Sequence, residues 1–230
     1  MKAITILFCV IIVLGSCKET SSKKEKVDDY LAWENYAGTK DGARYSLLDQ
    51  INKGNVQDLK VAWTYTSNDK DTNNRSQNQC NPIIVDGVLY GTSPKLFALN
   101  AKTGKQLWSF DPAKMGPTTA SPNKYYNIIR GVVYWENERG EEQRIFYSAG
   151  QKTFCVDAKK GTLVTTFGKE GCLDLSENLD RPEKDFNPFI ASTSPGITYG
   201  DLLVVSMRVA ETADAAPGHI RAYDTRSGKL

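Results

Sequence analysis

The 230-residue chain reads as all-β, a β-propeller of which about three blades are present. Three observations lead there. First, a short motif recurs: Leu96–Pro112 reads LFALNAKTGKQLWSFDP, Thr153–Phe167 reads TFCVDAKKGTLVTTF, and Ile220–Leu230 reads IRAYDTRSGKL. The turn glycines fall at Gly104, Gly161 and Gly228, each four residues after Asn100, Asp157 or Asp224. An Asn or Asp side chain bonds backbone amides just ahead of it, and glycine takes the left-handed conformation that closes the loop. Each copy is therefore strand, tight turn, strand. Motifs about sixty residues apart, with several strands between them, are the mark of propeller blades. Second, no segment of the mature chain carries helical periodicity beyond about two turns. Third, eleven tyrosines, eight phenylalanines and four tryptophans suit strands better than helices.

The elements follow in order. Residues 1–16 have a basic start at Lys2 and an apolar run, Ala3–Leu14, too short to span a bilayer as a helix. Leu14-Gly15-Ser16-Cys17 resembles a bacterial lipobox, which implies cleavage before Cys17, acylation of its thiol, and an exported chain anchored by lipid to the cell envelope. Residues 17–30 are polar and charged, a solvated tether. Residues 31–230 form the propeller domain. In it, Asn55 is placed to cap Val56–Leu59, Val61–Tyr65 reads as a strand, and Ser67–Gln79 as a loop. Asp86-Gly87, between Ile83–Val85 and Val88–Tyr90, is a favoured two-residue hairpin turn. Ile128–Trp135 and Arg144–Ser148 read as strands, Gly168–Asn187 as a long surface excursion, and Ile197–Met207 as a hairpin about Tyr199-Gly200-Asp201. The third motif breaks off at Leu230, short of the strand that follows the first one. A propeller needs at least four blades to close, so the chain is expected to be the N-terminal part of a longer protein. The alternative is a complete small β-sandwich.

Composition narrows the function. A net charge of +2 gives no electrostatic case for nucleic acid. Glycine-rich phosphate loops are missing, which argues against nicotinamide or flavin chemistry. The single histidine, His219, cannot build a metal cluster and reads as structural or exposed; no metal ligand is assigned, and Glu211 is not taken as one. Cys80, Cys155 and Cys172 remain in the mature chain, with no CxxCH for a c-type haem and no adjacent cysteine pair; Cys155 reads as a small core residue.

Trp33-Glu34-Asn35-Tyr36-Ala37-Gly38, Arg44-Tyr45-Ser46, Gln50-Ile51-Asn52, Asn55-Val56 and Ala62-Trp63 follow, in order and spacing, the opening of pyrroloquinoline quinone (PQQ)-dependent dehydrogenases. Asn81-Pro82, Arg130-Gly131-Val132-Val133-Tyr134-Trp135, Thr193-Ser194-Pro195 and Ile220–Asp224 extend the resemblance to nearly all of the domain, nearest to the membrane-associated glucose/quinate type. The resemblance implies an eight-bladed propeller with PQQ near its axis, and a tryptophan of each motif docked between blades. Ala98 and Gly104 leave room for an indole, and Trp108 is that indole. The second copy has Cys155 and Thr165 at the alanine and tryptophan positions, so its junction must be packed differently.

The resemblance also implies site residues. Gln79, just before Asn81-Pro82, stands where the family often has a glutamate and offers PQQ an amide donor. Arg130 offers a guanidinium to one of the three PQQ carboxylates. Ser192, Thr193 and Ser194 offer hydroxyls, and Ser206 and Arg208 end a strand at the level of the cofactor. Tyr126 replaces a histidine of glucose-oxidising relatives, on the substrate side. The implied activity is PQQ-dependent oxidation of a sugar or polyol hydroxyl, with electrons passed to membrane quinone or a cytochrome. A calcium or magnesium ion, a general base and further catalytic groups are expected from later blades, so no catalytic residue is assigned to this chain. The rival reading is a non-catalytic propeller lipoprotein of the outer-membrane assembly type, which shares the motif and the lipobox but lacks the opening and the Arg130–Trp135 segment.

Overall fold

The computed structural model describes residues 29–70, 77–115, 128–182 and 185–230. Residues 1–28 with Cys17, and Tyr126, lie outside the described residues. The described helical elements include short 3-10 segments at Asp29–Leu31, Val56–Asp58 and Pro112–Met115. No described helix is long and apolar enough to cross a membrane.

The first blade is an antiparallel meander of β1 (Ile83–Val85), β2 (Val88–Thr92), β3 (Leu96–Asn100) and β4 (Gln106–Phe110). Asp86 and Gly87 both take positive φ, 48° and 76°, the conformation a tight two-residue hairpin requires. The second blade is β5 (Val133–Glu136), β6 (Gln143–Ala149), β7 (Lys152–Asp157) and β8 (Cys172–Asp174). The third contains β10 (Ile197–Tyr199), β11 (Leu202–Ser206) and β13 (Ile220–Asp224); β9 (Ile190–Ala191) pairs separately with β12 (Arg208–Val209). The fold is that of a partial propeller.

The middle blade is buried on both faces. Ile145, Tyr147 and Ala149 of β6, with Phe154 and Val156 of β7, pack on the first blade's Ile83, Leu96 and Phe110. Their neighbours Phe146 and Cys155 point the other way, to Leu203, Val205 and Tyr223 of the third blade. This is why β6 and β7 read as continuous apolar runs rather than alternating ones.

The motif turns form as their residues dictate. Asn100 Oδ1 accepts the amides of Lys102 and Thr103, Asp157 Oδ1 those of Lys159 and Lys160, and Asp224 Oδ1 those of Arg226 and Ser227. Gly104, Gly161 and Gly228 close them at φ of 70°, 71° and 71°.

The indoles sit one motif further along than expected. Trp108 lies against Gly161 rather than Gly104, and its Nε1 donates to Ala158 O at 3.0 Å. Gly104 receives Trp63, whose Nε1 donates to Ala101 O at 3.1 Å. The third seat lacks an indole, as the Thr165 substitution implies: Gly228 meets the Gly168 backbone, and Gly168 N donates to Ser227 O at 2.8 Å. Trp135 and Arg144 bridge this junction instead. Trp135 Nε1 donates to Gly200 O, and the Arg144 and Arg226 guanidinium carbons lie 5.5 and 5.0 Å from its ring centre. Buried Arg144 also donates to Thr225 O (2.9 Å) and Arg226 O (2.8 Å).

Five further sequence expectations are corrected. Val61–Tyr65 is irregular, because a strand needs a ladder neighbour and no described residue supplies one. In the second motif, Leu163 makes a single bridge to Val156 before the chain turns away, and β8 takes the edge of β7. The segment 168–187 is therefore more than a surface excursion: it provides β8 and buries Leu173, Leu175 and Phe186 in the second core. Asn55 makes no capping bond to the helical turn; its amide group folds back to Asn52 N and Gln50 O. Last, β5 begins only at Val133, which leaves Ile128–Val132 as an entry loop.

Candidate functional site

The entry loops of the three blades meet side by side. Asn81 N donates to Arg130 O at 2.8 Å, and Arg130 N donates to Thr193 O at 3.0 Å, so one backbone rung leads from the first blade to the second and another to the third. Thr92 Oγ1 donates to Ile129 O at 3.3 Å and ties the middle loop back to β2. These segments are irregular because proline and glycine, at Pro82, Gly131 and Pro195, interrupt ladder formation at the start of each blade.

Two of the expected site residues are brought into contact by this arrangement. Arg130 Nη1 donates to Thr193 Oγ1 at 2.9 Å, and Arg130 is half-buried. No described carboxylate pairs with it. Of the three hydroxyls at 192–194, Thr193 is the one that reaches the guanidinium. Ser192 is buried, its amide donates to Gly150 O at 2.8 Å, and its hydroxyl donates to Ser194 O at 3.3 Å. Arg208 sits directly across the β9–β12 pair from Ala191, one residue before Ser192, with its guanidinium carbon 6.0 Å from the Phe189 ring.

The others stand apart from that contact. Gln79 is half-buried, with its amide donating to Gln77 Oε1 at 2.8 Å. Its neighbour Cys80 accepts the Thr92 amide on Sγ at 3.2 Å, and burial pushes the Cys80 thiol up despite that bond. Ser206 is exposed at the end of β11, opposite Ile220. It lines a groove of about 350 Å³ between β5 and β10–β11, roofed by Asn35, Tyr36 and Lys40. His219 is half-buried, its Nε2 3.5 Å from Asp180 Oδ1. No group of three or more His, Cys, Asp or Glu among the described residues could hold a metal ion.

Sequence reasoning passed over the buried arginines. Arg144 and Arg221 are each on the core-facing parity of a strand, Arg144 with Phe146 and Arg221 with Tyr223. Arg221 donates to the carbonyls of Glu177 (2.7 Å) and Asn178 (2.8 Å). A charge at an inward position of an apolar strand was the available signal, since such a group must find partners.

The family description "PQQ: Glucose/ethanol/alcohol dehydrogenase, beta-propeller domain" matches residues 33–230. Quinoprotein glucose dehydrogenase A of Acinetobacter calcoaceticus is 32% identical over 223 residues, with 86% of this chain and 27% of that protein covered. Quinate/shikimate dehydrogenase (quinone) of Acinetobacter baylyi is 31% identical over 225 residues, covering 86% of this chain and 27% of the relative. Among solved structures, the quinohemoprotein alcohol dehydrogenase of Comamonas testosteroni superposes with a TM-score of 0.66 at 24% identity, covering 88% of this chain and 27% of that one. The chain thus spans about a quarter of the length of the curated relatives it matches.

Proposed function

Because the chain belongs to the PQQ-dependent glucose/ethanol/alcohol dehydrogenase β-propeller family, we propose that it is part of an exported dehydrogenase that binds PQQ and oxidises a sugar or polyol hydroxyl. The observation that carries this is Arg130: a guanidinium without a described carboxylate partner, oriented by Thr193 Oγ1 where three blades begin. A donor set of that kind fits a polyanionic ligand, and a carboxylate would replace the solvent on the remaining N–H groups. When bound, PQQ supplies the hydride-accepting quinone; the chain's residues supply binding and orientation. Arg130 would grip a carboxylate and Thr193 would hold the guanidinium plane; Gln79, Ser192 and Arg208 are retained as further candidates for holding the cofactor. Ser206, in its groove, and Tyr126 are retained as candidates of the cofactor and substrate sides. The calcium or magnesium ion that the resemblance implies would be held by residues of a longer protein, as would the general base. Electrons would pass to membrane quinone or a cytochrome, and Cys17 would carry the lipid anchor.

Support for a longer protein comes from Trp63. It occupies the seat at Gly104 as Trp108 occupies the one at Gly161, so Val61–Tyr65 would be the outer strand of a further blade.

The test uses the full-length protein with PQQ and calcium or magnesium, assayed for PQQ binding and for dye reduction across aldoses and polyols. Binding with turnover is expected, and Arg130→Ala should weaken binding by at least tenfold, the loss of a charged hydrogen-bonded pair. A wild-type protein that neither binds PQQ nor reduces dye would overturn the reading. Anchoring is checked separately: Cys17→Ser should leave the precursor unprocessed and without lipid.

A further inference from the structure

We propose that Tyr36 and Gly131 are positioning residues for Arg130, acting through the backbone of the Arg130–Gly131 step. The inference rests on the PQQ-binding reading above.

Gly131 is the point where four segments converge. A Cβ there would lie 3.0 Å from Asn81 O in the first blade's entry loop, 3.2 Å from Tyr36 Cδ2, and 3.6 Å from Pro195 Cγ at the entry to the third blade. The absence of a side chain lets all three approach. On the other side of the same residue pair, the Arg130 amide and carbonyl are both engaged, by Thr193 O and Asn81 N. The Arg130 backbone is therefore fixed from two blades, and the Tyr36 ring closes the remaining side.

Tyr36 is itself held firmly. It stands at the corner of the turn Asn35–Gly38, closed by Gly38 N donating to Asn35 O at 2.9 Å. Ala37 takes φ 62°, a left-handed conformation that costs a residue with a Cβ on the order of 1 kcal/mol. Two bonds keep the turn there, one from β1 and one from the chain just beyond it: Ile84 N donates to Trp33 O at 2.8 Å, and Arg44 N donates to Ala37 O at 3.0 Å. The Trp33 ring packs on Gly38, where an added Cβ would meet Cζ3 at 3.0 Å. A conformation of this cost persists where the surroundings over-determine it, and here it presents one flat ring to one glycine. A bidentate grip on a carboxylate depends on placement to about half an ångström, so a shift of a few tenths at Gly131 would be felt at the guanidinium.

The test is titration of the full-length apoprotein with PQQ, followed by tryptophan fluorescence and independent of turnover. Tyr36→Ala and Gly131→Ala should each weaken binding about tenfold, while Tyr36→Phe, which keeps the ring, should bind as the wild type does. In the Arg130→Ala background, Tyr36→Ala should add less than about a twofold loss, the signature of two residues acting as one unit. Tyr36→Leu, which keeps apolar volume without the flat ring, provides the same comparison should the alanine variants fail to fold. Wild-type binding with undiminished losses in the Arg130→Ala background, or with no loss from Tyr36→Ala, overturns the positioning role alone. Absence of PQQ binding by the wild type overturns the function reading, and this role with it.

Discussion

The carboxylate of Asp224 accepts the amide hydrogens of Arg226 and Ser227 and the Ser227 hydroxyl at 2.7 Å, and these bonds, the hydroxyl first, hold its pKa below the usual 3.8. A depressed folded-state value stabilises the fold above the unfolded-state value of about 3.9, and the contribution is lost as pH falls through the lower folded value. Asn100 occupies the same place in the first motif with an amide oxygen and no titration. Asp224→Asn is therefore expected to keep the turn, while its thermal midpoint varies less than the wild type's below about pH 4. Melting curves by circular dichroism between acid and neutral pH check this; identical pH profiles would refute it. Cys155 is the other instructive residue. It stands where the first motif has Ala98, is fully buried, and has its thiol pushed up to about 12 by that burial. It is a core atom and not a reactive group.

Blades are joined by two kinds of staple, and each has a distinct weak point. At the first junction an indole lies flat on a turn glycine, so an added Cβ at Gly161 would stand 2.5 Å from Trp108 Cδ2. Gly161→Ala also strains a φ of 71°, and the two effects together should cost about 2–3 kcal/mol. At the second junction the staple is polar. Arg144→Met would keep most of the volume but leave Thr225 O and Arg226 O without their donor, at about 2–4 kcal/mol. Urea unfolding measures both, and a change under about 0.5 kcal/mol at either site would show that the staple is not what joins those blades.

Among the described residues, exposed large apolar side chains are most frequent in one stretch, with a second group (Ile197, Tyr199, Leu202 and Ile220) on the third blade. Ile51 is 59% exposed, Leu59 58% and Val61 84%, and Tyr45, Leu48 and Val56 lie between or beside them. Isolated exposed apolar residues are ordinary, but a run of them beside a segment with no ladder partner among the described residues marks a surface meant for cover. With the longer propeller proposed above, residues 45–61 should be protected from limited proteolysis in the full-length protein and cut readily in the 230-residue chain. Equal cleavage in the two would count against a further blade at that place.

Much of the architecture is legible in the chain because its partners are close in sequence. Asn100, Asp157 and Asp224 find their amides within three residues, and Asp86-Gly87 closes its hairpin without outside help. Such turns fix where strands end and so fix the blades. The Arg130 segment is legible as a likeness, but its geometry is not: Thr193 lies 63 residues away, and which of three neighbouring hydroxyls turns toward the guanidinium depends on how the third blade's entry loop is anchored by Gly150. The same holds for the seat of Trp108, the acceptors of Arg144 about eighty residues on, and the replacement of Thr162–Phe167 by β8 at the blade edge. Local chemistry sets the turns, since both halves of each bond are neighbours in the chain. Contacts between blades are set by which surfaces the folded chain presses together, and no pattern of neighbours encodes that choice.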